Sequence, residues 1–594
     1  MVGIDTGVAS AKTWHVDDDF ADYPAANFSS IQEAIDAADP RDIVFVYNGT
    51  YEYLIVNKSL RLIGKSIDSV IDGGWYRDCV KITSHDVSIE GFTIKGSAKD
   101  ASAIIVMANN STIANNTISE SGYGIYVKSG NNTIRDNNVT NNTINDIYLG
   151  DGFNTIVNNF IGNILIHSGN NNIANNAIKK KFLLERATGH NEIADNIMEV
   201  GVVLKNSNYN SVVNNTLDYI SLSDSNYNKI ENNNVKGGID LKGPGSNYNK
   251  IINTTTKYIN LKGSSNNNVI NNTISQNNGD GILTGHVRTC IRWGPLIFEN
   301  SLMVPSRDCV EWIYYVSTNN EITGNVINSS GGNGIYLSAE SKNTRIANNT
   351  IHSNKGIGIY VYKSSDVVIT SNTIDFNQKH GIFLSESADS RITNNTINSN
   401  NGTGFKLQSS SNIIMANNDL SGNRYNFDVS GNELSHYVHS IDTSNIIEGK
   451  TICYLVSERD MKVPEDAGYV GIVNSSNITV KDLKVGKNGQ GILLAYSSGE
   501  NQIVNNTIKD NEYGIYLYLG SSFNRIYHNN FINNIRNAEE IRSANYFDNG
   551  PIIGGNYWSD HKCKGNPSNG TQPYIIPVHN NEDKYPFENQ NGWL

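Results

Sequence analysis

A pair of asparagines that returns at a fixed interval constrains the fold of this chain more than any other feature. The pair lies between an apolar residue and an Ile or Val, with one spacer on each side. Its second member recurs every 23 residues, at Asn349, Asn372, Asn395 and Asn418. A second marker keeps this interval, since Gly358-Ile359-Tyr360-Val361 and Gly381-Ile382-Phe383-Leu384 also begin 23 residues apart. Two markers that advance together indicate a repeat protein.

The apolar residues inside each unit predict what is repeated. Ile359 and Val361 flank one outward position, as do Ile515 and Leu517, and this period of two is typical of short strands. A unit of about 20 residues with several short strands matches one coil of a parallel β-helix. We therefore predict an all-β fold: a single long right-handed parallel β-helix (a solenoid) with an N-terminal cap helix and a C-terminal cap.

A β-helix explains why the asparagines recur. A tight turn between strands often needs a residue with positive φ, which Asn tolerates well. Stacked from coil to coil, the amides would hydrogen-bond along the solenoid as a ladder. The residues expected to form this turn ladder are Asn116, Asn176, Asn272, Asn349, Asn372, Asn395, Asn418 and Asn506.

Interruptions of the repeat divide the chain into segments. Ser30 to Glu33 resembles a capping box, and the spacing of Ile31, Ala34 and Ile35 predicts a short amphipathic helix that covers the first coil. The predicted segments are an N-terminal segment and cap at 1–40, coils at 41–282, an inserted loop at 283–316, coils at 317–423, a second insertion at 424–470, coils at 471–536, and a C-terminal cap at 537–594.

The cysteines and the net charge indicate the location of the protein and exclude some partners. The five cysteines show no CxxC spacing, but Cys290 and Cys309 share the first insertion, so a disulfide between them is predicted in an oxidising exterior. The net charge of −12, with no basic cluster, argues against nucleic acid as a partner. No apolar run is long enough to span a membrane. Ala9-Ser10-Ala11 looks like the end of a secretory signal, so we expect a secreted protein at the cell surface.

Several segments resemble one known family, the NosD-type β-helix proteins. The matching stretches are Trp14–Asp19 with Ile31–Ile35, Val46–Tyr51, Asp466–Val470, Gly554–Asp560 and Asp583–Pro586. The resemblance implies the β-helix fold over nearly the whole chain. It also implies two kinds of function, because the family's namesake supports copper-site maturation of nitrous oxide reductase, whereas many archaeal relatives are envelope components.

Candidate site residues are sparse. Asp366, Asp375, Lys379 and His380 lie on neighbouring coils and could converge as the acid–base group of a lyase, although an ordinary solvated face is the expected outcome. A copper site would need clustered His and Met, and the closest histidine pair, His436 and His439, lies in the second insertion. No cofactor is expected, and calcium is left open.

The sequence therefore predicts a non-enzymatic extracellular structural protein of an archaeal cell envelope, in a sheath or surface layer. It would self-associate into a homo-oligomer or polymer through the β-helix flanks and the two insertions. Its 31 tyrosines could contact surface glycans or neighbouring subunits. The alternative is a secreted carbohydrate-active β-helix enzyme, a polysaccharide lyase, hydrolase or epimerase. A NosD-like copper-site maturation factor comes third.

Overall fold

The computed structural model describes residues 11–293, 309–577 and 581–594. Its strands stack into a parallel β-solenoid of about 21 turns over these residues, which confirms the predicted fold class. The chain divides into two compact units, residues 1–256 and 257–594. The start of the signal-like Ala9–Ala11 motif and the centre of the first insertion lie outside the described residues. Helices are short, α1 at Ile31–Ala37 and α2 at Gly550–Ile553. In the described part of the chain none is long and apolar enough to cross a membrane.

The coils of the first unit repeat the same strands one above another in parallel register. One face is formed by Ser102–Val106, Tyr123–Val127, Asn145–Leu149, Phe160–Ile166, Ala177–Glu185, Val202–Lys205, Ile220–Ser223 and Gly238–Lys242. Another is formed by Thr112–Ala114, Thr133–Arg135, Thr155–Val157, Asn172–Ala174, Glu192–Ala194, Ser211–Val213, Lys229–Glu231 and Lys250–Ile252. Parallel pairing between equivalent strands joins each coil to the next.

One face of the second unit positions the candidate site. Its strands are β1 (Ile335–Leu337), β2 (Ile359–Tyr362), β3 (Ile382–Ser385), β4 (Thr403–Gln408), β5 (Tyr425–Ser430), β6 (Lys450–Val456), β7 (Ala467–Val473), β8 (Gln490–Ala495), β9 (Tyr513–Tyr518) and β10 (Arg536–Ile541). β1 to β5 pair in sequence order, and β6 to β10 do the same.

The interior of the solenoid is built from vertical stacks of aliphatic side chains. Ile346, Ile369 and Ile392 occupy one register position on three successive coils, and all three are fully buried. Each extra coil therefore buries its apolar residues on the preceding coil, which explains why the apolar spacing repeats so regularly.

The two residues of each asparagine pair have different structural roles. Asn394 has a positive φ of 57° and makes the turn. Asn395 is buried, donates its backbone N–H to Oδ1 of Asn418 (3.0 Å), and donates Nδ2 to the carbonyl of Ile369 (3.0 Å). In all eight residues expected in the ladder, the backbone N–H donates to Oδ1 of an asparagine one coil further along.

The capping box predicted at Ser30 is wrong, although the helix itself is present. Ser30 is the N-cap residue of α1, but its side chain makes no capping hydrogen bond. The helix is held by burial of Ile31, Ala34 and Ile35 against the first strands. Tertiary packing thus replaces the local cap.

The first insertion projects from the solenoid as a hairpin. Val287–Trp293 and Cys309–Tyr315 pair antiparallel, and a disulfide joins Cys290 to Cys309. The coils on either side of the hairpin stay in register, since Val269 pairs directly with Ile322. The insertion therefore leaves the stacking of coils intact.

The second break folds back onto the solenoid. After β5 the chain forms a 3-10 helix at Leu434–His436, and the following Tyr437 and His439 are both buried. Cys453, on β6, is also buried. These three side chains therefore pack inside their own chain and are not available to a neighbouring subunit.

The C-terminal segment closes the last coils with aromatic rings and one buried acid. Trp558 stacks on Phe531 (4.3 Å between ring centroids) and on Tyr574 (4.1 Å). The buried Asp583 accepts hydrogen bonds from the backbone N–H of Asn556 (2.7 Å) and from Trp558 Nε1 (2.8 Å). Burial raises the pKa of Asp583 to about 7.

Candidate functional site

A row of aromatic rings on the outer face of β1 to β3 leads into a charged cluster. Tyr336, Tyr360 and Phe383 stack with centroids 4.9 and 5.1 Å apart and nearly parallel planes. The strand register places Lys406 of β4 next in this row and Asp428 of β5 after it. An ion pair therefore occupies positions where the preceding coils carry an aromatic ring.

Lys406 and Asp428 form the least exposed ion pair among the described residues. Lys406 Nζ lies 2.7 Å from Asp428 Oδ2, and the two side chains are 23% and 6% exposed. Gln490 Nε2 donates to the other carboxylate oxygen at 2.7 Å. Burial lowers the pKa of Lys406, but Asp428 outweighs it, so the pKa lies above the ordinary value for lysine. Lys406 therefore carries its charge at neutral pH.

His380 borders this pair as a neutral ring. Burial, with a smaller contribution from the Lys406 charge, lowers the pKa of His380 to about 4. Its Nδ1 accepts the backbone N–H of Thr403 at 2.9 Å, so the single ring proton is on Nε2. His380 therefore offers a hydrogen-bond donor, and no base, to a ligand at neutral pH.

β9 and the residue before it, Glu512, bring two phenols and a carboxyl group to the same cluster. Burial and the neighbouring Asp428 raise the pKa of Glu512 above its usual range. Burial and Glu539 raise the pKa of both Tyr513 and Tyr516, so these phenols remain protonated at neutral pH. The cluster thus combines a cation, protonated donors and a carboxyl group whose proton affinity is increased. We refer to His380, Lys406, Asp428, Glu512, Tyr513 and Tyr516 as the Lys406 cluster.

The second break supplies one wall of the cluster. The carboxamide of Gln490 bonds both the N–H of Val429 (3.3 Å) and its carbonyl (3.2 Å), in the manner of a neighbouring strand. Tyr469 donates its hydroxyl to Gln490 Oε1 at 3.3 Å. Tyr437 packs against Tyr496 and Tyr518. The side chain next to Asp428 is thereby fixed by buried hydrogen bonds.

Of the four residues singled out from the sequence, only His380 belongs to the Lys406 cluster. Asp366 lies exposed in a turn, where it accepts a hydrogen bond from Ser365. Asp375 lies on a different face beside His352, and Lys379 is exposed. The structure does not bring these four together as an acid–base group.

Lys406, Asp428 and Glu512 were not predicted from the sequence as site residues. One signal was available for the first, because Gly404-Phe405-Lys406-Leu407 carries lysine where the three preceding units carry Tyr or Phe. A charge at an outward position that is otherwise aromatic breaks the repeat and marks a functional position. Glu512 offered no such signal, since the path of the second break decides which coil lies beside β5.

The histidine pair in the second break does not fit copper. His439 Nε2 bonds the carbonyl of His436 (3.0 Å), and Nδ1 faces the backbone N–H of Ile413 (3.4 Å). His436 Nδ1 accepts the backbone N–H groups of Asn432 and Glu433. Three of the four ring nitrogens thus hold the local backbone, where a copper site would need them as ligands.

Carboxylates provide a different kind of cluster. Among the described residues, one group of three potential ligands comes together at Asp17, Asp18 and Asp19, whose ligand oxygens lie within 4.8 Å of one another. Carboxylate oxygens suit hard cations such as calcium and not copper. The buried thiols of Cys79 and Cys453 are not copper ligands either. Burial raises the pKa of Cys79 to about 12 and that of Cys453 to about 11, so neither is a thiolate at neutral pH.

Solved structures similar to this chain come from polysaccharide-modifying enzymes. The Azotobacter vinelandii mannuronan C-5 epimerase AlgE6 A-module is 15% identical, with 70% of this chain and 94% of that chain covered and a TM-score of 0.25. The PL6 family alginate lyase AlyGC is 12% identical, with 89% and 98% covered and a TM-score of 0.28. A mannuronic acid specific family 6 lyase from human gut microbiota is 14% identical, with 61% and 86% covered and a TM-score of 0.33.

These comparisons correct one expectation. We predicted a protein that is not an enzyme, partly because the repeat explained almost every residue as scaffold. The three solved structures named above are polysaccharide lyases and an epimerase with a β-helix fold, so the prediction is corrected to this extent: the fold gives no ground for excluding catalysis.

A family model covers most of the repeat region. The model, described as "Periplasmic copper-binding protein (NosD)", matches residues 35–219, 298–453 and 465–563. No curated protein matches the chain. The copper of that description has no fitting ligand set at His436 and His439. The match extends over well over half of the chain and agrees with the asparagine repeat and the solenoid, so the chain belongs to the NosD family.

Proposed function

We propose that the protein acts on an acidic polysaccharide outside the cytoplasm, by proton transfer at the Lys406 cluster. One observation carries this proposal: a largely buried Lys406–Asp428 pair lies next to Glu512, whose pKa is raised by burial and by Asp428. Titratable groups with strongly changed environments, gathered on one face, are typical of catalytic sites. The word periplasmic in the family description supports a location outside the cytoplasm.

The chemistry of the cluster favours proton abstraction next to a uronate carboxylate. The Lys406 ammonium would pair with the substrate carboxylate and so make the neighbouring C–H more acidic. Ionised Glu512 would take that proton, and its raised proton affinity makes it a stronger base than an ordinary glutamate.

Protonated Tyr516 would complete the reaction. In an elimination it would give its proton to the leaving oxygen as the C–O bond breaks and a C=C bond forms. In an epimerisation it would return a proton to the opposite face of the same carbon. His380 Nε2–H would bind a substrate oxygen in either case, because Thr403 fixes its tautomer.

The aromatic row gives the polymer a surface to follow. Tyr336, Tyr360 and Phe383 present a continuous half-buried strip that ends at Lys406. Aromatic side chains bind sugar rings through their apolar faces and edges. The strip therefore suits an extended chain whose reacting unit lies at the charged end.

The test is the activity of purified protein on alginate and on polygalacturonate. Elimination is followed by ultraviolet absorbance of the unsaturated product, and epimerisation by NMR. Glu512→Gln should lower the rate by about 10²- to 10⁴-fold, and Tyr516→Phe should also lower it. Glu386→Gln, on the same unit but outside the cluster, is the matched control and should leave the rate unchanged. If unaltered protein forms neither product from either polysaccharide, the proposal is contradicted.

Assembly of copies of this chain is a second candidate property. The hairpin favours it, because Trp312, Ile313 and Tyr314 are exposed at 37%, 38% and 55%. Exposed aromatic groups of this kind are enriched in subunit interfaces. Sedimentation over a concentration series, compared with Trp312→Ser/Tyr314→Ser, tests it. A monomer at every concentration would exclude assembly, and the expected sheath or surface layer stays a prediction.

A further inference from the structure

A groove rimmed by lysines lies beside the Lys406 cluster in the same unit. Its volume is about 240 Å³. It is lined by Lys450, Lys484, Lys487 and Lys509, together with Glu448 and Asp510. We call it the lysine groove. In a chain with a net charge of −12, four lysines against two carboxylates make a distinct basic surface.

The two carboxylates pair with two of the four lysines, which leaves the groove with an excess of positive charge. Glu448 lies 3.5 Å from Lys487, but the same oxygen already accepts the backbone N–H of Gly422 (2.9 Å). Lys509 and Asp510 are 3.8 Å apart, at the edge of an ion pair. Among the described residues, exposed Lys484 has no salt-bridge partner.

Lys450 is fixed at the groove by a hydrogen bond, and its pKa is lowered. Its Nζ donates to the carbonyl of Lys484 at 2.6 Å. Burial and the nearby Lys484 charge lower the pKa of Lys450 below the usual range for lysine. An anion in the groove would stabilise the charged forms of both lysines.

The floor of the groove is apolar and narrow. Ile447 and Val485 lie beneath the lysines and are buried. Glycine is required at two positions, since a Cβ at Gly468 would lie 2.9 Å from Lys450 Cβ and one at Gly486 would lie 2.5 Å from the carbonyl of Lys509. An apolar floor with a cationic rim matches a sugar ring that carries a carboxylate.

Two short chain segments join the groove to the Lys406 cluster. Asp510 lines the groove, and Glu512 of the cluster follows two residues later. Glu448 lines the groove and accepts Nδ2 of Asn426, two residues before Asp428. Two residues span at most about 7 Å. The groove is therefore around one corner of the coil from the ion pair.

We infer that the lysine groove is a subsite that binds a uronate unit of the same polysaccharide chain, beside the unit that reacts at the Lys406 cluster. The inference rests on the proposed function for its choice of ligand. Carboxylate recognition by ammonium groups is charge-assisted, so the groove discriminates acidic from neutral polysaccharides. It deepens the proposal by assigning substrate selection to a surface separate from the reacting groups.

Binding and turnover are measured separately to test this. Calorimetry uses six-unit oligomannuronate, oligogalacturonate and neutral cellohexaose as probes. The variants are Lys484→Met and Lys450→Met/Lys484→Met, with Lys462→Met/Lys481→Met outside the groove as the matched control. Both groove variants should lose at least about tenfold in affinity for an oligouronate, and the control should bind like unaltered protein. Lys484→Met removes only an exposed side chain, so it keeps the test valid where the double variant folds poorly.

The outcomes separate the two proposals. Loss of uronate binding in the groove variants, with or without turnover by unaltered protein, supports the subsite. Unchanged uronate affinity in Lys484→Met overturns it, even where Glu512→Gln abolishes turnover. Equal binding of cellohexaose and the oligouronates by unaltered protein also overturns it, because a cationic subsite must prefer the acidic chain.

Discussion

The two interruptions of the repeat have opposite effects on the solenoid. The hairpin formed by Val287–Trp293 and Cys309–Tyr315 separates two coils by 53 residues at the ladder, yet Asn272 still donates to Oδ1 of Asn325 at 2.9 Å. The second break ends one run of paired strands at β5 and begins another at β6, and the side chain of Gln490 bonds Val429 in place of a strand.

The two breaks show where polar groups can come together in a fold made of stacked, similar coils. A hairpin that leaves and returns at one point preserves the register, so the outward rows on both sides continue. A segment that folds back covers an outer face and changes which coils are neighbours. It is at this second kind of break that Lys406, Asp428 and Glu512 come together.

The largest difference is expected between two tyrosines. Tyr437→Ala, in the second break, should lower the free energy of unfolding by about 3–5 kcal/mol, because a fully buried ring and its hydrogen bonds to Gly431 are lost. Tyr314→Ala, on the hairpin, should change it by less than about 0.5 kcal/mol, because that ring is 55% exposed. Urea unfolding of both variants measures this. Equal effects would show that the second break is as loosely attached as the hairpin.

The second-largest loss of stability is expected when one partner of the Lys406–Asp428 ion pair is removed. Asp428→Ala leaves the Lys406 ammonium half-buried without its carboxylate and should destabilise the unit by about 3 kcal/mol. The control is Glu386→Gln, which breaks an ion pair whose side chains are both about half exposed and should cost less than about 1 kcal/mol. Denaturant midpoints compare the two. A neutral Asp428→Ala would mean that water enters the cluster freely.

Low pH should destabilise the folded second break. Burial lowers the pKa of His439 to about 4. As the pH falls from about 6.5 to about 4, the unfolded chain binds a proton that folded His439 does not, so stability is lost over this range. His439→Gln should make the slope shallower by about 1.4 kcal/mol per pH unit.

The control for acid sensitivity is His352→Gln, which replaces a surface histidine on a regular coil. Unfolding free energies at several pH values between 4 and 7 measure both slopes. The same slope in unaltered protein and in His439→Gln would rule out this histidine as the source of acid sensitivity.

The smallest expected effect concerns the disulfide. Cys290→Ser/Cys309→Ser should change the free energy of unfolding of the unit by less than about 1 kcal/mol, since the coils on both sides pair without the hairpin. Trypsin cleavage after Arg288 should become faster because the hairpin opens locally. Cooperative loss of the whole unit on reduction would show that the hairpin is coupled to the coils after all.

Most of the fold could be predicted because its cause is periodic. The Asn pairs fix the turns, and the alternation around Ile359 fixes the strands, so both signals are visible within one coil. The short helix α1 could also be predicted from apolar spacing, although its capping box could not, since burial of Ile31 and Ile35 makes the cap unnecessary.

The candidate site could be predicted only in part. His380 was identified because it lies near other charged residues in sequence. Lys406 and Asp428 are 22 residues apart, one coil, and a comparison of outward positions between neighbouring coils could have paired them. Glu512 depends on how the second break folds, and that path follows no period.

The asparagine ladder has a direction along the chain. Each ladder asparagine donates its backbone N–H to the amide of the coil that follows it in sequence, as Asn506 does to Asn529 and Asn529 to Asn556. The backbone N–H at the turn of each coil therefore has its acceptor on the following coil. At Asn556 the acceptor is the carboxylate of Asp583 in place of an asparagine amide. The turn of each coil is therefore completed by the coil on its C-terminal side, so loss of one coil would leave the turn before it without its acceptor.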